Sequence, residues 1–486
     1  MDAYDALYDA DQKAVTLSYH SNISVQLLTD RDKYMATFAR ACLAAKELIQ
    51  ISTCYLFWTD PAQTYILFDL LPFIVQRGVK VQILFDLMVM ESITFKSPFY
   101  TTNEKPESTR KSAQPCHVTA TSFWEHLPKH CPPATARPPF SSSNAFFQAL
   151  MDMTGPNFDI QFWCARDAHE QYRIKNHAKC AVFDKRVAIL GGSNVTPTTK
   201  SATADLDVLV TGRAAADVSA SFESLFHAMS RDNDDDDRVV VKASVHTDFG
   251  EEKKEGNGDD LNQMIRECDW DDSSCKVSIL RSSPSCEGED VIYRVVLDKI
   301  RLATREVLLN MGHSCFPQSF ARVVKDATER GVRVCVMVNT IYSNDLRTGQ
   351  RDLIVSIRDM LRIAPQVEVY GTSMACVRDS NIPLSASDRP EFLHAKYVMV
   401  DGHWSAVGSW NCWNRSAFYE IEHEAFVESE RVADILREKF HRDARVLCTR
   451  LGIEDCESGG LFCPRGCFVC EGFGPFYCED RIPNAP

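Results

Sequence analysis

The sequence has no long hydrophobic run. Its most apolar stretch, YILFDLLPFIV at 65–75, carries Asp69 and Pro72 and is shorter than the roughly 20 residues of a bilayer-crossing helix. No spanning helix is expected. Positive charge is not in excess either: 53 Lys and Arg against 67 Asp and Glu give a net charge of −14. That balance offers no general attraction to nucleic-acid backbones or anionic lipid surfaces, although Arg173, Lys175 and Lys200 leave room for a local basic pocket. The opening residues, MDAYDALYDADQK, lack the basic and apolar segments of a leader. The expectation is a cytoplasmic protein, at most peripheral on a membrane. Cysteine, in contrast, is plentiful and odd in number at 19. Without a leader these thiols are expected to be mostly reduced.

What the sequence does contain is a repeat. HAKCAVFDKRVAILGGSN runs from His177 to Asn194, and HAKYVMVDGHWSAVGSWN from His394 to Asn411. Both read H-x-K-x4-D followed by a glycine and an asparagine. His177, Lys179, Asp184, Gly191 and Asn194 each recur 217 positions later as His394, Lys396, Asp401, Gly408 and Asn411. Acids follow in the same register, Asp207 and Glu424. By composition the triplet alone arises in about one chain in twenty of this length. Two copies sharing one offset at six positions mark a duplicated fold with one half-site per copy.

At these residues the chain resembles the phospholipase D superfamily, whose signature is the doubled H-x-K-x4-D motif. GSWNCWNRSAFYEIEHEAFV, with Arg415-Ser416 after the asparagine, is similar to bacterial cardiolipin synthases, as is DLDVLVTGRAAADV in the first half. The resemblance implies catalysis without a metal cofactor, with the first-motif histidine as nucleophile. It thereby makes His177 the nucleophile and His394 the general acid, then the base for the incoming acceptor. Ser409 matches the family's serine, whereas the first copy has Gly192 there. Cardiolipin synthases usually carry membrane-anchoring segments, and the lack of a long apolar run here departs from that pattern.

The residue types suit phosphodiester chemistry. Attack on an anionic phosphorus is repelled and the leaving alkoxide is poor, so a covalent phosphoenzyme and a positioned acid each help. Two nearby imidazoles disfavour double protonation, which separates a neutral nucleophile from a protonated acid. Lys179 and Lys396 supply fixed charge to the phosphoryl oxygens, and Asn194 and Asn411 supply amide donors. Asp207 and Glu424 are expected to accept from the far nitrogen of each imidazole and fix its tautomer. Asp184 and Asp401, at strand ends, are expected to hold the motif turns. The reading is a phospholipase D-type phosphodiesterase or phosphatidyltransferase acting on phospholipid, active as a monomer. A nuclease of the same superfamily is the alternative, and an inactive scaffold would have lost a motif histidine or lysine.

The rest of the chain fits an α/β fold of two duplicated halves, each a mixed sheet flanked by helices around one shared site. Near-continuous apolar strands, LIQIST (48–53), RGVKVQILFD ending at Asp86, EVLLNM (306–311) and RGVRVCVMVN ending at Asn339, alternate with helical patterns. The halves are expected at 1–229 and 263–447, joined by an acidic linker over 230–262 that opens with SRDNDDDDR. Residues 91–143, rich in Pro, Ser, Thr and Lys, exceed a normal connection. Their Phe95, Phe99, Tyr100, Phe123 and Trp124 make this segment the expected contact with a lipid surface. A Cys-rich tail spans 448–486. Cys456, Cys463, Cys467 and Cys470 could together hold a structural zinc, with disulfides or lipidated thiols as alternatives.

Overall fold

The computed structural model describes residues 15–29, 31–54, 61–86, 131–134, 143–163, 165–166, 173–194, 205–228, 261–282, 291–312, 314–339, 350–372, 393–413, 415–416 and 419–457. Most of the 91–143 segment, the linker as far as 260 and the tail beyond 457 lie outside these residues. So do three of the four proposed zinc thiols and the side chain of Cys456.

In the first half, β1 (His20–Leu28) leads into α1 (Arg31–Ala44), β2 (Leu48–Thr53), a helical run α2 over 61–76, and β3 (Lys80–Asp86). The α2 run passes through a π-helical turn at Ile66–Leu70. Then come α3 (Ser143–Asp152), β4 (Phe158–Trp163), β5 (Ala165–Arg166), β6 (Arg173–Asn176), β7 (Cys180–Phe183), β8 (Val187–Gly191), β9 (Asp207–Thr211) and α4 (Gly212–Ala228). A short α5 (Leu261–Glu267) precedes the second half. There β10 (Asp272–Ser282), α6 (Val291–Leu302), β11 (Glu306–Met311), α7 (Gln318–Glu329), β12 (Arg333–Val338), α8 (Gln350–Ile363) and β13 (Glu368–Thr372) follow. The chain continues through β14 (Lys396–Val400), β15 (Trp404–Gly408), β16 (Glu420–Glu428), α9 (Glu430–Leu447), β17 (Cys448–Leu451) and α10 (Ile453–Glu457).

Hydrogen bonding links the strands in the order β4–β3–β2–β7–β8–β9–β1–β10–β16–β15–β14–β11–β12–β13–β17. The order is nearly palindromic. β1 and β10 pair antiparallel at the centre, and each side steps outward through the same sequence of equivalents. Within this order, among the described residues, only β2–β3–β4 and β11–β12–β13 pair in parallel, as expected where helices return the chain between them. A smaller β5–β6 pair joins the halves a second time, because β6 lies parallel to the start of β16.

Three apolar clusters hold this arrangement. Each half has its own, under α1–α3 and α6–α8. The third is shared: Val25, Val208 and Phe222 from the first half pack in one cluster with Val277, Tyr397, Val427 and Phe440 from the second. Each such fully buried side chain contributes about 1.5–3 kcal/mol, so the halves are held chiefly by this common core. α4 and α9 cover it. In α4 the buried Ala214, Ala215, Val218, Phe222 and Phe226 recur at helical spacing. In α9, Val432, Ala433, Leu436, Phe440 and Leu447 do the same, and the Ser429 hydroxyl caps the first turn by accepting from the Val432 amide. α5 falls at the expected linker boundary, yet its Leu261 and Met264 pack in the first half's cluster.

Candidate active site

The two motifs meet where β6 runs beside β16. The His177 amide donates to the Ile421 carbonyl (3.0 Å) and the Lys175 amide to that of Tyr419 (2.6 Å). Backbone pairing therefore fixes the first motif's histidine against a strand of the other half. A polar residue closing β3 or β12 steadies each motif just before its histidine. Asp86 accepts from the Asn176 amide at 2.5 Å, and Asn339 accepts from the Leu393 amide at 2.9 Å. Asn176 and Leu393 are equivalent positions in the repeat. Sequence reading noted that both strands end on Asp86 and Asn339 but not what those side chains do.

The acids on the imidazoles come from the opposite half. His177 Nδ1 lies 2.9 Å from Glu422 Oε2, and His394 Nδ1 lies 3.0 Å from Asp205 Oδ2. These acids stand two residues before the expected Asp207 and Glu424. Alternation along a strand puts both members of each pair on one face, so the pattern alone does not choose between them. Asp207 instead accepts from the Ser193 amide (3.0 Å), and Glu424 from the Trp410 amide (3.4 Å). They sit against the motif glycines. A Cβ at Gly191 would fall 2.3 Å from Asp207 Oδ1, and one at Gly408 would fall 2.2 Å from Glu424 Oε2. The repeated glycine and the later acid thus form a structural pair in each half.

The two dyads differ in support. Glu422 accepts from Ser409 Oγ (2.6 Å) and Ser416 Oγ (2.9 Å) as well as facing His177. Among the described residues Asp205 has no such hydroxyls, and its Oδ1 has no hydrogen-bond partner. Gly192 stands where Ser409 stands in the other half, and a Cβ there would lie 2.0 Å from Asp205 Oδ1.

The lysines are buried beside the histidines. Lys179 Nζ donates to the His177 carbonyl at 2.7 Å, and Lys396 Nζ donates to that of His394. Asn194 is anchored through its side-chain oxygen, which accepts from Thr53 Oγ1 (3.0 Å), the Cys54 amide (3.2 Å) and Cys54 Sγ (3.3 Å). The backbone donor fixes which end of the amide faces β2. Asn411 is fully buried in the second motif. Asp184 accepts from the amides of Lys46, Glu47 and Leu48, and Asp401 from those of Thr304, Arg305 and Glu306. Both adopt positive φ, 50° and 54°. They tie the turn after each motif strand to the turn before β2 or β11.

Burial and charge set the protonation states. Burial, reinforced by Lys179, Lys175 and Lys396, holds His177 well below the ordinary histidine range. Burial also lowers His394, with Lys396, while Asp205 opposes the shift. Burial alone would raise Asp205, but His394 and the lysines keep it below the usual carboxylate range. Glu422 is pushed up to about 8 by burial and by Glu420, Asp207 to about 7 by burial and by Asp205, and burial brings Lys396 down to about 8.

His177, Glu420 and Glu422 bring donor atoms within 4.8 Å of one another, a set that could in principle hold a cation. Lys175 and Arg415 already face Glu420, however, and Lys179 stands beside His177. That surrounding positive charge suits an anion better.

Residues 296–444 match the family model described as "Cardiolipin synthase, PLD-like domain". Among solved structures, phosphatidylserine synthase of Haemophilus influenzae Rd KW20 is similar with a TM-score of 0.58 and 13% identity, over 94% of this chain and 92% of its own. The phospholipase D family member Nuc from Salmonella typhimurium aligns with 36% of this chain and 99% of its own, at 18% identity and a TM-score of 0.27. No curated protein matches the chain by sequence. By sequence the phospholipase D-like match covers residues 296–444, and over the whole chain the fold is similar to that of the phosphatidylserine synthase. The second half of this chain is similar to the cardiolipin synthase type of that domain.

Proposed function

We propose that the protein is a phospholipase D-type phosphodiesterase or phosphatidyltransferase that acts on glycerophospholipids through a phosphohistidine at His177. The observation that carries this reading is the pair of buried histidines, each oriented through Nδ1 by a carboxylate of the other half. With Nδ1–H directed at Glu422, His177 presents the lone pair of Nε2 to phosphorus. Burial and three lysines keep that imidazole neutral and nucleophilic. As the N–P bond forms, the P–O bond to the leaving alcohol breaks and His394 transfers its proton to that oxygen. His394, now neutral, takes a proton from water or an acceptor alcohol. The resulting oxygen attacks phosphorus and returns His177 to its starting state. Lys179 and Lys396 offset the phosphoryl charge throughout.

The lipid assignment is supported by the match of residues 296–444 to the cardiolipin synthase type of domain and by the acidic net charge, which does not favour a polyanion. None of the described helices is long and apolar enough to cross a membrane. The test is to incubate purified protein with mixed phospholipids, with and without a primary alcohol, and identify products by mass. A phosphatidyl alcohol formed at the expense of phosphatidic acid is the expected result. Efficient cleavage of single-stranded DNA or RNA with no lipid product would replace this reading by a nuclease.

A further inference from the structure

Beside the catalytic dyads stands an arginine that the chemistry above does not use. Arg415 Nη2 lies 3.2 Å from Glu420 Oε1, and its guanidinium sits over the Trp413 ring, 4.9 Å from the centroid. Glu420 is fully buried, whereas the Arg415 side chain is 39% exposed. A carboxylate oxygen of Glu420 lies within 4.8 Å of one from Glu422 and of a His177 ring nitrogen. The guanidinium is therefore one carboxylate removed from the imidazole proposed as nucleophile.

Two features argue against Arg415 serving only as the counter-ion of Glu420. Lys175, itself buried, already faces the same Glu420 oxygen at 3.6 Å, and Trp413 Nε1 donates to the other oxygen at 3.1 Å. In addition, the contact from Arg415 is an ion pair without hydrogen-bond geometry: Glu420 Oε1 has no hydrogen-bond partner among the described residues. Stacking and charge thus fix the plane of the guanidinium while its fork of N–H donors stays available. Such a fork matches a carboxylate or phosphate bidentately. The cations around this corner, Lys175, Lys179, Lys396 and Arg415, also outnumber Glu420, Glu422 and Asp205.

We infer that Arg415, stacked on Trp413, is a recognition site for a second anionic group on the substrate, a carboxylate or phosphate on the head group of an anionic phospholipid. The scissile phosphate lies between the histidines, and the second anion takes the place beside Arg415 that Glu420 faces among the described residues. This inference rests on the lipid reading for the identity of the substrate, but the anion preference can be measured without turnover.

The test is calorimetric titration of the full-length protein at pH 7 with three soluble head-group analogues. O-phospho-L-serine adds a carboxylate to the phosphate, glycerol 1,3-bisphosphate adds a second phosphate, and phosphoethanolamine adds no anion. The wild type is expected to bind each two-anion ligand at least about tenfold more tightly than phosphoethanolamine. Whether serine or bisphosphate binds better distinguishes a carboxylate from a phosphate head group. Arg415→Ala should bring all three to similar affinity, and Arg415→Lys, which keeps charge but loses the fork, should retain only part of the preference. A thermal melt of each variant confirms folding. Equal affinity of the wild type for all three ligands overturns the inference, as does a preference that survives in Arg415→Ala. If the preference holds and no phospholipid is turned over, the lipid reading fails and the second-anion site stands.

Discussion

His177 and Glu422 are 245 residues apart in the chain and 2.9 Å apart in the fold. With His394 and Asp205 they form a crossed pair of dyads, so neither half can orient its own imidazole. The backbone pairing of β6 with β16 places one dyad, and the shared core beneath α4 and α9 holds the two halves together. The dyads are not equal: two serine hydroxyls steady Glu422, while Asp205 has none among the described residues. A fixed nucleophile and a less constrained proton carrier fit the division of roles assigned above.

That division makes a kinetic prediction. With a p-nitrophenyl phosphodiester the leaving group needs no proton, so His394→Ala should release a burst of about one p-nitrophenolate per protein and then stall. His177→Ala should give no burst. Glu422→Gln should slow the burst itself by about 100-fold or more, since an amide cannot favour the productive tautomer in the same way. Stopped-flow absorbance reads all three. A burst of equal size in His177→Ala would reverse the assignment of nucleophile.

Gly192 offers a sharper geometric test. Its counterpart Ser409 carries a side chain without conflict, yet a methyl at 192 would meet Asp205 Oδ1 at 2.0 Å and the His394 carbonyl at 3.2 Å. Gly192→Ala should displace Asp205 from His394 and lower kcat by about 100-fold. Ser409→Gly, which removes one donor from Glu422 and the acceptor of the His423 amide, should cost about tenfold. Side-by-side kinetics decide it, and equal small losses in both would show that Asp205 readjusts freely.

Much of this was legible in the chain. The shared offset of the motifs predicts two half-sites, and the apolar strands at 48–53 and 306–311 fall where expected. Even the role of Asp184 and Asp401 in holding turns follows from their place at strand ends. The carboxylate partners were not legible, because a two-residue spacing in extended chain does not separate Glu422 from Glu424 on β16, nor Asp207 at the start of β9 from Asp205 just before it. Only the backbone of the partner half decides which member reaches an imidazole. The missing signal lay in the glycines: Gly191 and Gly408 leave room for Asp207 and Glu424 and so account for those two acids. Arg415 was noted for its resemblance alone, since its contacts with Glu420 and Trp413 depend on how the chain turns after Asn411.

The motif aspartates should behave as structural residues. Asp401 collects three backbone amides and the Thr304 hydroxyl, which hold its carboxyl below the usual range despite partial burial. After allowance for solvent screening, Asp401→Ala should cost about 1–2 kcal/mol of stability. Asp401→Asn, which tolerates the positive φ, should cost less. Urea denaturation measures the loss. Activity per folded molecule should stay within about threefold of wild type, and a collapse of kcat in folded Asp401→Asn would place this residue in the chemistry after all.

The last prediction concerns His423, which lies between Glu422 and Glu424 on β16 but turns toward α4. Its Nε2 is 2.5 Å from Ser221 Oγ, and its Nδ1 is buried without a partner among the described residues. Burial, together with Arg281, brings its pKa down to about 3. A histidine depressed in the fold binds a proton in the unfolded chain first. Stability should therefore be present above the unfolded value near 6.5 and be lost as pH falls toward about 3, at about 1.4 kcal/mol per pH unit. Glu422 and Asp207 complicate the total because their folded values are raised to about 8 and about 7. Each stabilises the fold while protonated there, and that contribution is lost as pH rises through its folded value. The difference between wild type and His423→Gln removes these common contributions. Between pH 6.5 and 4.5 the variant should gain on the wild type by about 2–3 kcal/mol in unfolding free energy, measured by urea denaturation at each pH. A constant difference across that window would mean that His423 titrates in the fold much as it does in the unfolded chain.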